Sequence, residues 1–94
     1  MEEIINTNRN AILEIAARHG ARKVRLFGSA ARGDAGPGSD IDFLVDMQPG
    51  RSLLDLCAMM VELRDLLGRK VDLVTESSLH WLLKRRILKE ARPL

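Results

Sequence analysis

"LFGSAARGDAGPGSDIDFLVD", residues 26–46, holds a glycine-serine pair and, a dozen residues later, two aspartates flanking a single isoleucine. Residues 40–46 alternate strictly: Ile41, Phe43 and Val45 fall on one face, and Asp40, Asp42, Leu44 and Asp46 on the other. That is the period of a strand with one buried side. Ahead of it, residues 23–27 read as a shorter strand, with Val24 and Leu26 alternating against Arg25, and the strand ends at Gly28. Between the two, residues 33–39 carry three glycines and a proline, which break regular structure and make a loop.

The flanking segments complete the fold class. Over residues 2–19, Ile5, Ile12, Ile15 and Ala16 recur at helical spacing, with Gly20 placed for a left-handed cap. After the turn at 48–50, Ser52 and Asp55 form a capping-box-like start to a helix whose apolar positions are taken as Leu53, Leu56, Cys57, Met60, Leu63 and Leu67, stopped by Gly68. Residues 70–75 predict a third strand, and Ser77 is placed to cap a last helix. The order helix, strand, strand, helix, strand, helix joins the second and third strands by a helical crossover, the connection that parallel strands need. The expected class is α/β (α+β): a small mixed sheet of three or more strands with helices packed mainly on one face.

At 94 residues the chain fits one domain, 1–94, whose small core leaves stability marginal without partners. Hydrophobic residues at 46% and charged residues at 30% describe a globular protein. A net charge of +2 is too small to argue for nucleic acid, although Lys84, Arg85, Arg86, Lys89 and Arg92 make the end of the chain basic. That run is first a solvated helix face, then a partner contact, and only third an RNA surface, because no aromatics interleave it. Cys57 is the sole cysteine, so neither an intrachain disulfide nor a cysteine zinc cage can form. With an acidic start and no apolar run of the ~18 residues that span a bilayer, the expectation is a soluble, cytoplasmic protein with no membrane contact.

Alternation puts Asp40 and Asp42 on one strand face, roughly 7 Å apart along the backbone. If the third strand lies alongside, Asp72 can face the same way, since Val71 and Leu73 want the core. Like charges at ~4 Å cost on the order of 4 kcal/mol at an effective dielectric near 20, so such a group favours a divalent cation or proton uptake. Magnesium, with hard oxygen ligands and a habit of sharing substrate phosphates, is the natural occupant, and manganese can substitute. Gly28 lets backbone approach a ligand, and Ser29 offers an amide and a hydroxyl where a short helix can begin, a place for phosphate. Residues 28–33 also match the first six positions of a P-loop, but Asp34 and Ala35 stand where lysine and serine or threonine are required, so that ATPase class is excluded.

The strand-turn, "GSAARGDAGPGSDID" and the lone aspartate of "KVDLV" together resemble the polymerase-β-type nucleotidyltransferase superfamily: a glycine-serine pair, a loop, then Asp-x-Asp between hydrophobic residues. The minimal nucleotidyltransferases (MNT) of that superfamily resemble this chain over nearly its whole length. The resemblance implies the polymerase-β-type fold and nucleotidyl transfer from a Mg-bound nucleoside triphosphate. Two Mg2+ ions (Mn2+ possible) would be held by Asp40, Asp42 and Asp72, with Gly28 and Ser29 on the outer phosphates. It also implies an antitoxin that attaches AMP from ATP to a hydroxyl, a tyrosine, of a HEPN-domain toxin.

Other readings stand beside these. The Asp40/Asp42 face is by alternation alone a solvated strand face, and the Gly28-Ser29 turn reverses that preference. Arg32 divides evenly between phosphate contact and a surface pair with Asp34 or another acid. Ser39 serves turn chemistry ahead of nucleotide contact. Asp46, His19 and His80 are structural. The rival functions are a non-catalytic antitoxin that neutralises by binding, and a transferase acting on a small molecule or an RNA end. Small size and exposed leucines in the last helix predict an oligomer or hetero-complex.

Overall fold

The computed structural model describes residues 2–33 and 38–94; Asp34 and the middle of the glycine-rich loop lie outside the described residues. Four strands form one mixed sheet in the order β3-β2-β1-β4, with β1 Ala21–Phe27, β2 Ile41–Met47, β3 Val71–Thr75 and β4 Arg92–Pro93. The pair β1/β2 is antiparallel, and β2/β3, joined by the helical crossover, is parallel as expected. β4 is an addition that two residues, one of them a proline, do not announce; it pairs Arg25 with Pro93 and Leu26 with Arg92.

The N-terminal helix is two helices rather than one, α1 Glu2–Thr7 and α2 Arg9–Arg18. Asn8 stands between them, its side-chain amide donating to the Ile4 carbonyl at 2.8 Å. A short polar side chain bonding its own backbone is what makes asparagine a poor helix interior residue. After α2, Gly20 takes φ +87°, the left-handed conformation expected of it.

The crossover helix α4 spans Leu53–Leu67. Its start is fixed by Asp55, which accepts from the Ser52 amide at 2.9 Å, as the capping box predicted. Its buried face keeps Leu63 and Leu67 of the expected one, with Leu56 packed at its edge, but takes Met59 in place of Met60, which is only half-buried, and leaves Leu53 72% exposed and Cys57 exposed. Apolar residues occupy more than one face of α4, so periodicity alone does not set its phase. The inner stripe joins Ile12, Ile15 and Ala16 of α2 and Ile41, Phe43, Val45 and Val71 of the sheet in one core. The helices α1, α2 and α4 therefore cover one face of the sheet.

The opposite face is lightly covered. Glu76–Ser78 form a single 3₁₀ turn, and the last helix, α5, runs Trp81–Glu90. Ser77 does not cap it: its hydroxyl donates to Thr75, and His80 caps instead, Nδ1 accepting from the Leu82 amide at 3.2 Å. Leu44, assigned by alternation to the polar face, is fully buried. The 3₁₀ turn follows β3 beside β2 and is held by Arg25, which is the cross-strand neighbour of Leu44 and donates to Glu76 at 2.7 Å. Among the described residues no helix is long and apolar enough to cross a membrane.

Candidate functional site

Strand register decides where the acids meet. Asp42 of β2 stands directly beside Asp72 of β3, and Phe27 of β1 stands across from Asp42 on the other side. Partners at one register position share a face of the sheet, so both carboxylates lie on the side away from the main core. Asp40, two residues upstream and half-exposed, lies near enough to act on Asp42 electrostatically. Burial first, then the charges of Asp72 and Asp40, push the Asp42 carboxyl above its ordinary value of 3.8. A carboxylate crowded by two others and only partly solvated is one that a cation would relieve.

The turn after β1 is shaped around the same carboxylate. Gly28 adopts φ 68°, ψ −148°, open to glycine and strained for other residues. A Cβ built on it would sit 2.7 Å from Asp42 Oδ2, closer than real Cβ atoms come. The missing side chain thus admits the Asp42 carboxylate against the backbone of the turn. Ser29 then opens the short helix α3, Ser29–Arg32, closed by Gly33 at φ +78°. A helix start leaves its leading amides without intrahelical partners, and this one begins one residue past the glycine that faces Asp42.

The remaining predicted residues are less tightly grouped. Arg32 is exposed and reaches Glu90 of α5 at 3.7 Å, a surface pair of the kind anticipated. Ser39 borders a hollow of about 350 Å³ with Gly38, Gly68, Arg69 and Lys70, where β2 and β3 begin. The Ile41 amide donates to the Lys70 carbonyl there, which fixes the register that pairs Asp42 with Asp72. Sequence reasoning missed Arg25 and Glu76. Arg25 stands across from Leu44 and so shares the face of the acids, which the alternation of Val24, Arg25 and Leu26 was enough to suggest.

Among the described residues no three acidic, histidine or cysteine side chains form a ready-made cage for a metal ion. The acids form an open group instead. That suits a hard divalent ion bound through one or two carboxylates with the rest of its shell from water and substrate phosphates, and the crowding of Asp42 supplies the reason to bind one.

Comparison with known proteins gives a consistent family. A model of the nucleotidyltransferase domain matches residues 9–94. The candidate protein adenylyltransferase MJ0435 of Methanocaldococcus jannaschii is 46% identical over 87 residues, covering 93% of this chain and 94% of its own length. The protein adenylyltransferase MntA of Thermococcus cleftensis is 42% identical, covering 82% of this chain and 78% of its own. Among solved structures, a candidate minimal nucleotidyltransferase superposes with a TM-score of 0.90 at 47% identity over 98% of this chain and 94% of that one. A toxin-antitoxin structure with AMP-PNP has a TM-score of 0.78 at 24% identity, over 92% of this chain and 71% of that one, a likeness of fold.

Proposed function

Because the chain belongs to the nucleotidyltransferase domain family, we propose that it is an adenylyltransferase acting as the antitoxin of a HEPN-domain toxin, moving AMP from Mg-ATP to a tyrosine hydroxyl of that toxin. The observation that carries this reading is the side-by-side register of Asp42 and Asp72 next to a turn whose glycine makes room for the Asp42 carboxylate. Support for the substrate comes from relatives named as protein adenylyltransferases and from the AMP-PNP of a toxin-antitoxin neighbour. In this reading residues 1–94 act as one minimal catalytic domain in the cytoplasm, where an exposed lone thiol such as Cys57 stays reduced.

In this reaction the acceptor hydroxyl oxygen forms a bond to the α-phosphorus, the bond from that phosphorus to the bridging oxygen breaks, and pyrophosphate leaves with that electron pair. Asp40, Asp42 and Asp72 would hold two Mg2+ ions, which lower the pKa of the acceptor hydroxyl and offset charge on the leaving pyrophosphate. Asp72, on the outer strand of the group, is the residue to receive the acceptor proton. The amides of Gly28 and Ser29 bind the outer phosphates, Arg32 offsets their charge from its place beside Glu90, and Ser39 holds the end of the loop. Incubation of the purified chain with Mg-ATP and a HEPN-domain toxin encoded beside it tests this. Mass spectrometry should find AMP on the toxin, and Asp42→Asn should abolish it. Undiminished neutralisation by Asp42→Asn with no adduct would establish the binding-only antitoxin instead.

A further inference from the structure

No residue of α5 is buried, although its inner side is clear: Lys84, Ile87, Leu88 and, just past its end, Ala91 are half-buried at the i, i+3, i+4, i+7 spacing of one face. The outer side carries Arg85, Arg86 and Lys89, and at the N-terminal end Trp81, Leu82 and Leu83 are 74%, 63% and 54% exposed. Three adjacent large apolar side chains this open approach the ~300–600 Å² patch size at which a function is expected. Trp81 is also held ready: its ring stacks on His80 with centroids 5.9 Å apart and planes 25° from parallel.

The position of α5 matters as much as its composition. At one end the 3₁₀ turn before it is tied by Glu76 to Arg25, which shares the sheet face of Asp42. At the other, Glu90 pairs with Arg32 of α3, and Arg92 donates to the Ala31 carbonyl. The helix is therefore anchored along the same side of the sheet as the candidate carboxylates, and whatever rests on it is brought beside them.

We infer that the exposed N-terminal turn of α5, continued by its basic outer face, is the docking surface for the acceptor protein, which meets it with an apolar groove rimmed by carboxylates; this rests on the reaction proposed above. Charge complementarity selects that partner, since Arg85, Arg86 and Lys89 outnumber the one acid of the helix, Glu90, which Arg86 and Arg32 already share. A lipid surface is disfavoured because the exposed apolar residues are three consecutive positions at one end, not a stripe along the helix that could lie in a bilayer interface. RNA is disfavoured because Trp81 is the one aromatic of the helix on which a base could stack. Trp81 is the natural anchor and the basic residues the rim.

The test uses the full chain and the adjacent HEPN-domain protein, with Trp81→Ala and the double charge reversal Arg85→Glu/Arg86→Glu; thermal melts matching wild type establish that these exposed substitutions leave the fold intact. Calorimetry should give a Kd for the HEPN protein weakened about thirtyfold by Trp81→Ala and at least tenfold by the charge reversal. KM for the acceptor should rise in step, with kcat and Mg-ATP binding unchanged. An unchanged Kd for both variants overturns the inference, as does no binding by wild type. So does co-sedimentation with phosphatidylserine vesicles, or binding to a single-stranded RNA, that the charge reversal abolishes while HEPN affinity stays intact. If wild type binds the HEPN protein through α5 yet transfers no AMP, the docking surface stands and the reaction falls.

Discussion

Gly28→Ala is the sharpest perturbation of the candidate site, because two separate costs can be read from the backbone. The residue sits at φ 68°, ψ −148°, where a non-glycine residue costs on the order of 1–3 kcal/mol. Its new methyl would also lie 2.7 Å from Asp42 Oδ2, so either the turn or the carboxylate must move. Gly33→Ala is the internal control. Gly33 also has positive φ, 78°, but no described atom within 4 Å of an added Cβ, so only the conformational cost of about 1–2 kcal/mol applies. The excess for Gly28→Ala is then about 1–2 kcal/mol, which in a domain of this size lowers Tm by roughly 5–15 °C beyond the control. Thermal melts of both variants, alone and in an Asp42→Ala background, complete a double-mutant cycle. With the carboxylate gone, the excess should shrink by about 1 kcal/mol or more, and in the wild-type background AMP transfer should fall much further for Gly28→Ala than for Gly33→Ala. Equal losses for the two glycines, or no coupling between 28 and 42, would refute the claim that this turn is built around the Asp42 carboxylate.

Three further outcomes follow from the same geometry. Because the folded protein raises the Asp42 pKa, the stability linked to this group is fully present below its unfolded value, ordinarily 3.8, and is lost as pH rises through the folded one. Without metal, Asp42→Asn should therefore melt above wild type at pH 7, the gap closing below pH 4; Mg2+ should raise the Tm of wild type and not of the variant, as scanning fluorimetry can follow. Arg25→Ala removes the partner of Glu76 and the cross-strand neighbour of Leu44, and should cost about 1–3 kcal/mol in urea denaturation, with Glu76→Gln milder. Ser52→Ala should cost at most about 1 kcal/mol, because the Asp55 carboxylate still accepts from the backbone amide of residue 52, and the urea midpoint should shift accordingly.

The segments with strict alternation and firm punctuation were legible in the sequence: β1, β2 and β3, the ends of α4, and the approach of Asp72 to Asp42. Each rests on local rules, namely a two-residue period, a glycine at positive φ and a capping serine. What was not legible depends on contacts between distant residues. Leu44 lies on the polar side of its strand, yet it is buried, and its cross-strand neighbour Arg25 is drawn to Glu76, far off in sequence, a pairing that no local pattern announces. The buried side of α4 follows Met59 and Leu63 rather than Cys57 because the helix carries apolar residues on both sides, and only the position of α2 and the sheet chooses between them. Ser77 and His80 both suit a helix start. The side chain of Ser77 bonds back to Thr75, which leaves the role to His80.

The same distinction explains why the acids can be found without an alignment while their surroundings cannot. A slip of one residue between β2 and β3 would turn Asp72 into the core and Leu73 out to solvent, exchanging an apolar burial for an unpaired charge. The core side chains Ile41 and Val71, which stand opposite one another and are both fully buried, therefore hold Asp42 opposite Asp72 as a by-product of packing. Hydrophobic register does the positioning, and its pattern is written in the chain. By contrast, nothing in the pattern of α5 says what rests on its outer side, because its half-buried positions fix only the side that faces the rest of the chain.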